Sequence, residues 1–280
     1  MIRFAQLGHR YSSIDESNPI DWVGVSSLVS FFKPSFDPVA GALKASRNPR
    51  SKWFKMDPQT IQNIWKGESE RSTDMGTWYH DKTEQSITAG TSFSENEHSF
   101  NVVKPIMIND QKIASDQKLV EGHIYPEHLM YLQSEGLCGQ TDRVEVTGGL
   151  INIRDYKTSK TIKEEGFRNW EGITQRMRDP LSHLDECNLV HYTLQMTLYM
   201  YMALKHNPQL RPGSLTIDHI IFEIDHEDQY GYPVYKKDSS GEFIIKEIKP
   251  YKVPYLKMEA MAMLAVLREN RDLIKSKSND

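Results

Sequence analysis

Apolar and polar positions repeat with two different periods along this chain, and the change of period divides it. Between residues 21 and 90 the spacing is helical. Val25-Ser-Ser-Leu-Val-Ser-Phe-Phe carries an apolar stripe, and Asp57-Pro58 has the form of an N-cap followed by a first-turn proline, opening a helix through Ile61, Ile64 and Trp65. A polar stretch covers 91–100. Beyond it a period of two predicts strands near 118–125, 128–133, 139–147 and 150–158. Helical spacing returns over 188–206, a strand follows at 215–225, and a hairpin spans 232–248. A last amphipathic helix covers 255–274 and leaves 275–280 as a frayed tail. Helices and strands are mixed, with no internal repeat.

The densest signal lies in Gly139-Gln-Thr-Asp-Arg-Val-Glu-Val-Thr-Gly-Gly-Leu-Ile-Asn-Ile-Arg-Asp-Tyr-Lys157. Gly148-Gly149 between two β-rich runs is a two-residue hairpin turn, and the turn fixes the register. Counting back from Thr147 opposite Leu150 pairs Val146 with Ile151, Val144 with Ile153, and Asp142 with Asp155, all on one face. Directly opposed residues have Cβ atoms roughly 4.5–5.5 Å apart, so two aspartates there repel unless something neutralises them. A divalent cation does so, since magnesium and manganese prefer hard oxygen ligands. Lys157 lies two residues past Asp155 and shares its face. Two carboxylates, a metal and an ammonium suit phosphodiester hydrolysis. The same residues also fit a plain salt-bridged hairpin edge, with the aspartates paired to Arg143, Arg154 or Lys157.

Composition narrows the field. The 280 residues suit one globular unit, 38% hydrophobic and 26% charged. No apolar run approaches the ~18 residues of a membrane helix, and the first residues lack the apolar core of a secretory signal. Two cysteines make no disulfide framework, so a soluble protein of a reducing cytoplasm is expected, without a membrane partner. A net charge of −4 argues against coating nucleic acid by bulk positive charge, so any such contact is local. Lys44, Arg47, Arg50, Lys52 and Lys55 cluster around Trp53 and Phe54, a mixture able to pair with phosphates and stack on bases, or simply to form a solvated surface.

Gly139-x-x-Asp142 followed by Asp155-Tyr156-Lys157 resembles the G-x-x-D…(D/E)-x-K signature of PD-(D/E)XK nucleases, RecB-like exonucleases above all. Gly76-Thr-Trp-Tyr-His80-x-x-x-Glu84 is similar to the G-x-x-x-H-x-x-x-E helix of that branch, and Gln195-Met-Thr-Leu-Tyr199 to its Q-x-x-x-Y motif. His80 and Glu84 share a helix face, as do Gln195 and Tyr199, although an amphipathic core helix accounts for the second pair almost as well. Leu181-Ser-His-Leu-Asp-Glu-Cys-Asn resembles phage-encoded relatives.

The resemblance implies an α/β (α+β) fold of restriction-endonuclease type, a central mixed β-sheet flanked by helices with an N-terminal helical region. It divides the chain into that region at 1–70, a nuclease core at 71–225, and a C-terminal hairpin and helix at 226–280 within the same globular unit. It implies Mg²⁺ or Mn²⁺ held by Asp142, Asp155, the Tyr156 carbonyl and His80, with Lys157 assisting a water's attack on phosphate. Glu84 then acts from outside the metal ligands, and Gln195 and Tyr199 help to place DNA. Lys160 and Arg168, with Lys163, Arg176 and Arg178, follow the hairpin and are placed to track a DNA backbone. Thr141 stands where the family name has proline, and the second acid is Asp. Some relatives hold an iron–sulfur cluster on four cysteines, which Cys138 and Cys187 cannot supply, so no cluster is expected. No G-x-x-x-x-G-K-[ST] motif occurs, so a helicase or recombinase partner is a separate chain. The expected activity is exonucleolytic cutting at DNA ends or on single strands, with an endonuclease, a non-catalytic DNA-binding protein and a carboxylate-pair glycosidase as rivals.

Overall fold

In the computed structural model, which describes residues 2–5, 10–95, 97–114 and 116–278, the chain opens with strands β1 (Ile2–Ala5), β2 (Arg10–Ser13) and β3 (Val23–Gly24). Helices α1 (Val25–Phe31), α2 (Pro38–Arg47) and α3 (Pro58–Thr88) follow. Asp57 caps α3 by accepting from the Thr60 N–H at 2.9 Å, as the Asp57-Pro58 pattern predicts. Four short strands come next: β4 (Ser92–Glu95), β5 (His98–Val102), β6 (Ile106–Ile108) and β7 (Gln111–Ala114). Then come the long strands β8 (His123–Leu132), β9 (Leu137–Thr147) and β10 (Leu150–Lys157), helix α4 (Asn188–His206) and β11 (Arg211–Phe222). Strands β12 (Ile224–Glu227), β13 (Pro233–Tyr235) and β14 (Ile245–Val253) and helix α5 (Lys257–Ser278) complete the chain.

The central sheet runs β14-β11-β10-β9-β8-β5-β4, with β3 also paired to β9. It is mixed. β10 and β11 are parallel and joined through α4, β5 and β8 are parallel, and the other neighbours along the row are antiparallel. Gly148 and Gly149 both take positive φ (62° and 70°), which a tight hairpin turn requires and glycine allows. The β9–β10 ladder then runs Thr147↔Leu150, Val146↔Ile151, Val144↔Ile153 and Arg143↔Arg154, in the register counted from the sequence. One face of the sheet is closed by α4, whose Leu194, Met196, Leu198 and Met200 are buried with Val144, Val146, Ile151, Ile153, Leu215 and Ile217, and with residues of α1 and α5. A second sheet, β2-β1-β7-β6, sets Ile2, Phe4 and Ala114 against Leu129, Tyr131 and Cys138 of the central sheet.

Several expectations need correction. In place of two strands at 118–125 and 128–133 there is one, β8, which begins only at His123, because Pro126-Glu127 makes a local kink with Glu127 at φ 47° instead of a turn. Among the described residues, helical structure before residue 70 is confined to α1, α2 and the start of α3, since Ile2–Ala5 and Arg10–Ser13 are strands. The polar stretch after residue 90 holds β4 and β5, short strands whose side chains are mostly exposed and leave little alternation to read. The hairpin expected over 232–248 is split. β13 pairs with β12, β14 pairs with β11, and a single bridge, Lys237↔Phe243, links the two arms. Residues 275–278 continue α5 instead of fraying, and 279–280 lie outside the described residues.

Leu194 is fully buried where α4 crosses the sheet. Leu194→Ala is expected to lower unfolding stability by about 2–5 kcal/mol in urea titration, the range for a truncated core leucine whose cavity does not collapse.

Candidate active site

Asp142 on β9 and Asp155 on β10 lie one step beyond Arg143↔Arg154, the last pair of their ladder, and both are buried. The β8–β9 ladder adds a third acid. Its register, Pro126↔Arg143 and His128↔Thr141, sets Glu127 opposite Asp142. Glu127, Asp142 and Asp155 therefore form a row across three neighbouring strands. Each is buried, so none of the three charges is relieved by bulk water.

Helix α3 brings His80 to this row. Its Nδ1 lies 3.3 Å from Asp142 Oδ1 and 3.4 Å from Glu127 Oε1, and its ring meets the Tyr156 ring edge-on at 5.8 Å. Ligand atoms of His80, Glu127 and Asp142 all lie within 4.8 Å of one another. Carboxylate oxygens and an imidazole nitrogen at that spacing fit a divalent ion such as Mg²⁺ or Mn²⁺. Gly76, one turn before His80, would place a Cβ 3.3 Å from Thr158 Oγ1, so its lack of a side chain lets α3 pass close to the end of β10. Asp155 stands beside this group instead of inside it, its Oδ2 2.6 Å from Lys157 Nζ. Lys157 Nζ also sits 5.0 Å from the Tyr192 ring centre on α4. The salt-bridged alternative thus holds for Asp155 and Lys157, whereas Arg143 pairs with Glu95 and Glu145, and Arg154 with Asp218. Asp142 Oδ2 accepts the Tyr156 N–H at 2.6 Å, which ties the peptide of Tyr156 to the first acid.

Charge and burial set the protonation states. Burial disfavours a charged His80, but Asp142 and Glu127 outweigh it and raise its pKa to about 11. Burial pushes Asp155 up to about 6, and Asp142 adds to the rise while Lys157 opposes it. Asp142 is lowered, because His80, Lys157 and the Tyr156 N–H overcome its burial. Lys157 is raised, since Asp155 and Asp142 overcome the burial that would neutralise it, and it remains an ammonium.

The auxiliary residues divide. Glu84 points to Lys112 of β7 at 3.2 Å, and Lys112 stands 3.7 Å from Glu127 Oε2. Gln195 and Tyr199 are hydrogen-bonded to each other at 3.3 Å and line a cavity of about 250 Å³ together with Tyr11, His80, Glu127 and Asp142. A Cβ on Gly139 would lie 2.7 Å from the Tyr199 ring, so only glycine lets that ring lie against β9. Sequence reasoning missed Glu127 and Lys112. The signal for Glu127 was present, since counting back from the turn between Leu132 and Leu137 sets it opposite Asp142.

A family model for the PD-(D/E)XK nuclease superfamily matches residues 52–270. The chain belongs to this superfamily. Comparison with curated proteins and with solved structures returns no match. The mixed sheet flanked by helices is the fold of this nuclease superfamily, whose members use divalent metal ions and generally hydrolyse phosphodiester bonds, with DNA the implied substrate. Among the described residues no helix is long and apolar enough to cross a membrane.

In this superfamily member the basic cluster at 44–55 is built differently from its sequence expectation. Trp53 is buried among Ala42, Ile61, Trp65, Tyr230 and Tyr232, so its ring offers no face to a base. Lys52 donates to the Tyr230 carbonyl and lies over the Trp53 and Tyr232 rings at 4.5 and 4.4 Å. Lys44, Arg47, Arg50 and Lys55 are exposed, as are Lys160, Lys163 and Arg168, while Arg176 is paired with Asp185.

Asp155 gives a pH prediction. A carboxyl raised from 3.8 to about 6 keeps its proton in the fold at pH values where the unfolded chain has lost it. The contribution of Asp155 to the stability of the metal-free protein therefore falls as pH rises from about 4 to 6, and the loss persists above. In EDTA, the stability of Asp155→Asn relative to wild type is expected to shift in the variant's favour as pH rises from about 4 to 7, on top of a pH-independent cost for leaving Lys157 without its partner. Thermal unfolding across that range reads the sign.

Proposed function

We infer that this protein is a divalent-metal-dependent deoxyribonuclease of the RecB-like type, an exonuclease acting at DNA ends or on single strands. The observation that carries the reading is the row Glu127, Asp142 and Asp155, with His80 on one side and Lys157 on the other, inside the matched region. His80, Glu127 and Asp142 would hold Mg²⁺ or Mn²⁺, with Asp155 and the Tyr156 carbonyl as the further oxygen donors. When bound, such an ion polarises a backbone phosphate and lowers the pKa of a water.

The chain's own groups do the rest. Lys157, held as an ammonium by Asp155 and Asp142, does not take a proton. It orients the attacking water and offsets charge growing on the phosphoryl oxygens. Asp155, sharing that lysine, keeps it aimed along the strand. Gln195 and Tyr199 line the cavity and set the position of the strand being cut. Lys160 and Arg168, beyond the end of β10, and Lys44, Arg47, Arg50 and Lys55 of the α2–α3 segment are exposed cations that take backbone phosphates. Cys138 and Cys187 are two thiols where a four-cysteine iron–sulfur cluster needs four, so the activity requires no cluster.

End-labelled linear single- and double-stranded DNA, incubated with Mg²⁺ or Mn²⁺, tests this. Wild type is expected to release label, EDTA to stop it, and Lys157→Ala to slow it on the order of 10²–10³-fold with DNA binding retained. Intact DNA in every lane contradicts the nuclease reading. Cutting of covalently closed circular DNA replaces the exonuclease by an endonuclease of the same fold.

A further inference from the structure

Lys112 occupies a position that the strand pattern reserves for an apolar residue. Along β7, Lys112 and Ala114 point inward while Gln111 and Ile113 are half-buried, and Ala114 packs in the core between the two sheets. A lysine 8% exposed at such a place is costly unless carboxylates meet its ammonium. Two do, Glu84 of α3 at 3.2 Å and Glu127 of β8 at 3.7 Å.

Glu127 is the hinge of the arrangement, because its two oxygens face different cations. Oε1 faces His80 and, through it, Asp142, the group that fits a divalent ion. Oε2 faces Lys112 and also accepts from Gln140 Nε2. In two-metal phosphodiesterases the ions lie roughly 3.5–4 Å apart, close enough to share a carboxylate. Here the second side of Glu127 already carries a cation, fixed covalently to β7 and held by Glu84. Charge points the same way. With His80 neutral, as a metal ligand must be, the carboxylates of Glu84, Glu127, Asp142 and Asp155 face the ammonium groups of Lys112 and Lys157, and the two negative charges left over equal the charge of one divalent ion.

Resting on the metal-nuclease reading above, we propose that Lys112 is a built-in cation filling the second of two cation positions beside Glu127, so that the chain holds one divalent ion. Lys112 is thus a positioning residue. It holds Glu127 toward His80 and Asp142 and keeps a second ion out.

Counting Mn²⁺ per full-length chain tests this, by isothermal titration calorimetry and by the electron paramagnetic resonance signal of free Mn²⁺. Wild type and Lys112→Arg are expected to bind one ion. Lys112→Met, which keeps the stem but removes the charge, is expected to bind two, and adding Glu84→Gln returns the count to one. A merely structural lysine predicts lower stability for Lys112→Met with the count unchanged, and that result overturns the proposal. So do two ions on wild type, a count that decides even where Lys112→Met fails to fold. Wild type that binds no Mn²⁺ overturns both this proposal and the metal-nuclease reading. One ion on wild type and two on Lys112→Met, with DNA left intact, sinks the nuclease reading and supports the role of Lys112.

Discussion

Three buried carboxylates side by side on neighbouring strands repel one another, and a fold that places Glu127, Asp142 and Asp155 in such a row must bring positive charge to it from every direction. The surrounding elements can be understood as sources of that charge. Lys157 comes from two residues further along β10, His80 from α3 and Lys112 from the second sheet. The row itself exists because two hairpins share β9. Each hairpin fixes a register, and together they set one acid of each strand at the same level.

The apolar architecture holds those registers in place. Val144, Val146, Ile151 and Ile153 share the face of Asp142 and Asp155 and are clamped under α4, so a one-residue slip would bury charge under the helix and expose the core. The same helix carries Tyr192 to Lys157, and Gln195 and Tyr199 to the cavity beside β9. Core packing and site geometry are therefore one problem, with α4 buried nearly all round because it serves both. The second sheet completes the enclosure, with Tyr11 at the cavity and Lys112 behind Glu127.

What the sequence made legible depended on how local the determining interaction was. The Gly148-Gly149 turn and its alternating arms are contiguous, so the pairing of β9 with β10 followed by counting. The cap at Asp57 and the shared helix face of His80 and Glu84 are equally local. Glu127 was hidden because Pro126-Glu127 reads as a strand break, whereas the backbone kinks there and continues. Lys112 was beyond reach because its partners stand far off in the chain on α3 and β8, and in β7 the lysine faces inward while the apolar Ile113 faces the more open side, so residue type does not follow burial. Trp53 misled for a related reason. Basic and aromatic residues in sequence resemble a stacking surface, but Tyr230 and Tyr232, far along the chain, cover the ring.

Glu127, Asp142 and His80 are arranged to converge on one ion. Anomalous diffraction from crystals grown without metal and soaked in saturating Mn²⁺ locates it. A single strong peak is expected within roughly 2.0–2.3 Å of His80, Glu127 and Asp142. A peak held by other residues, or none at these three, would contradict it.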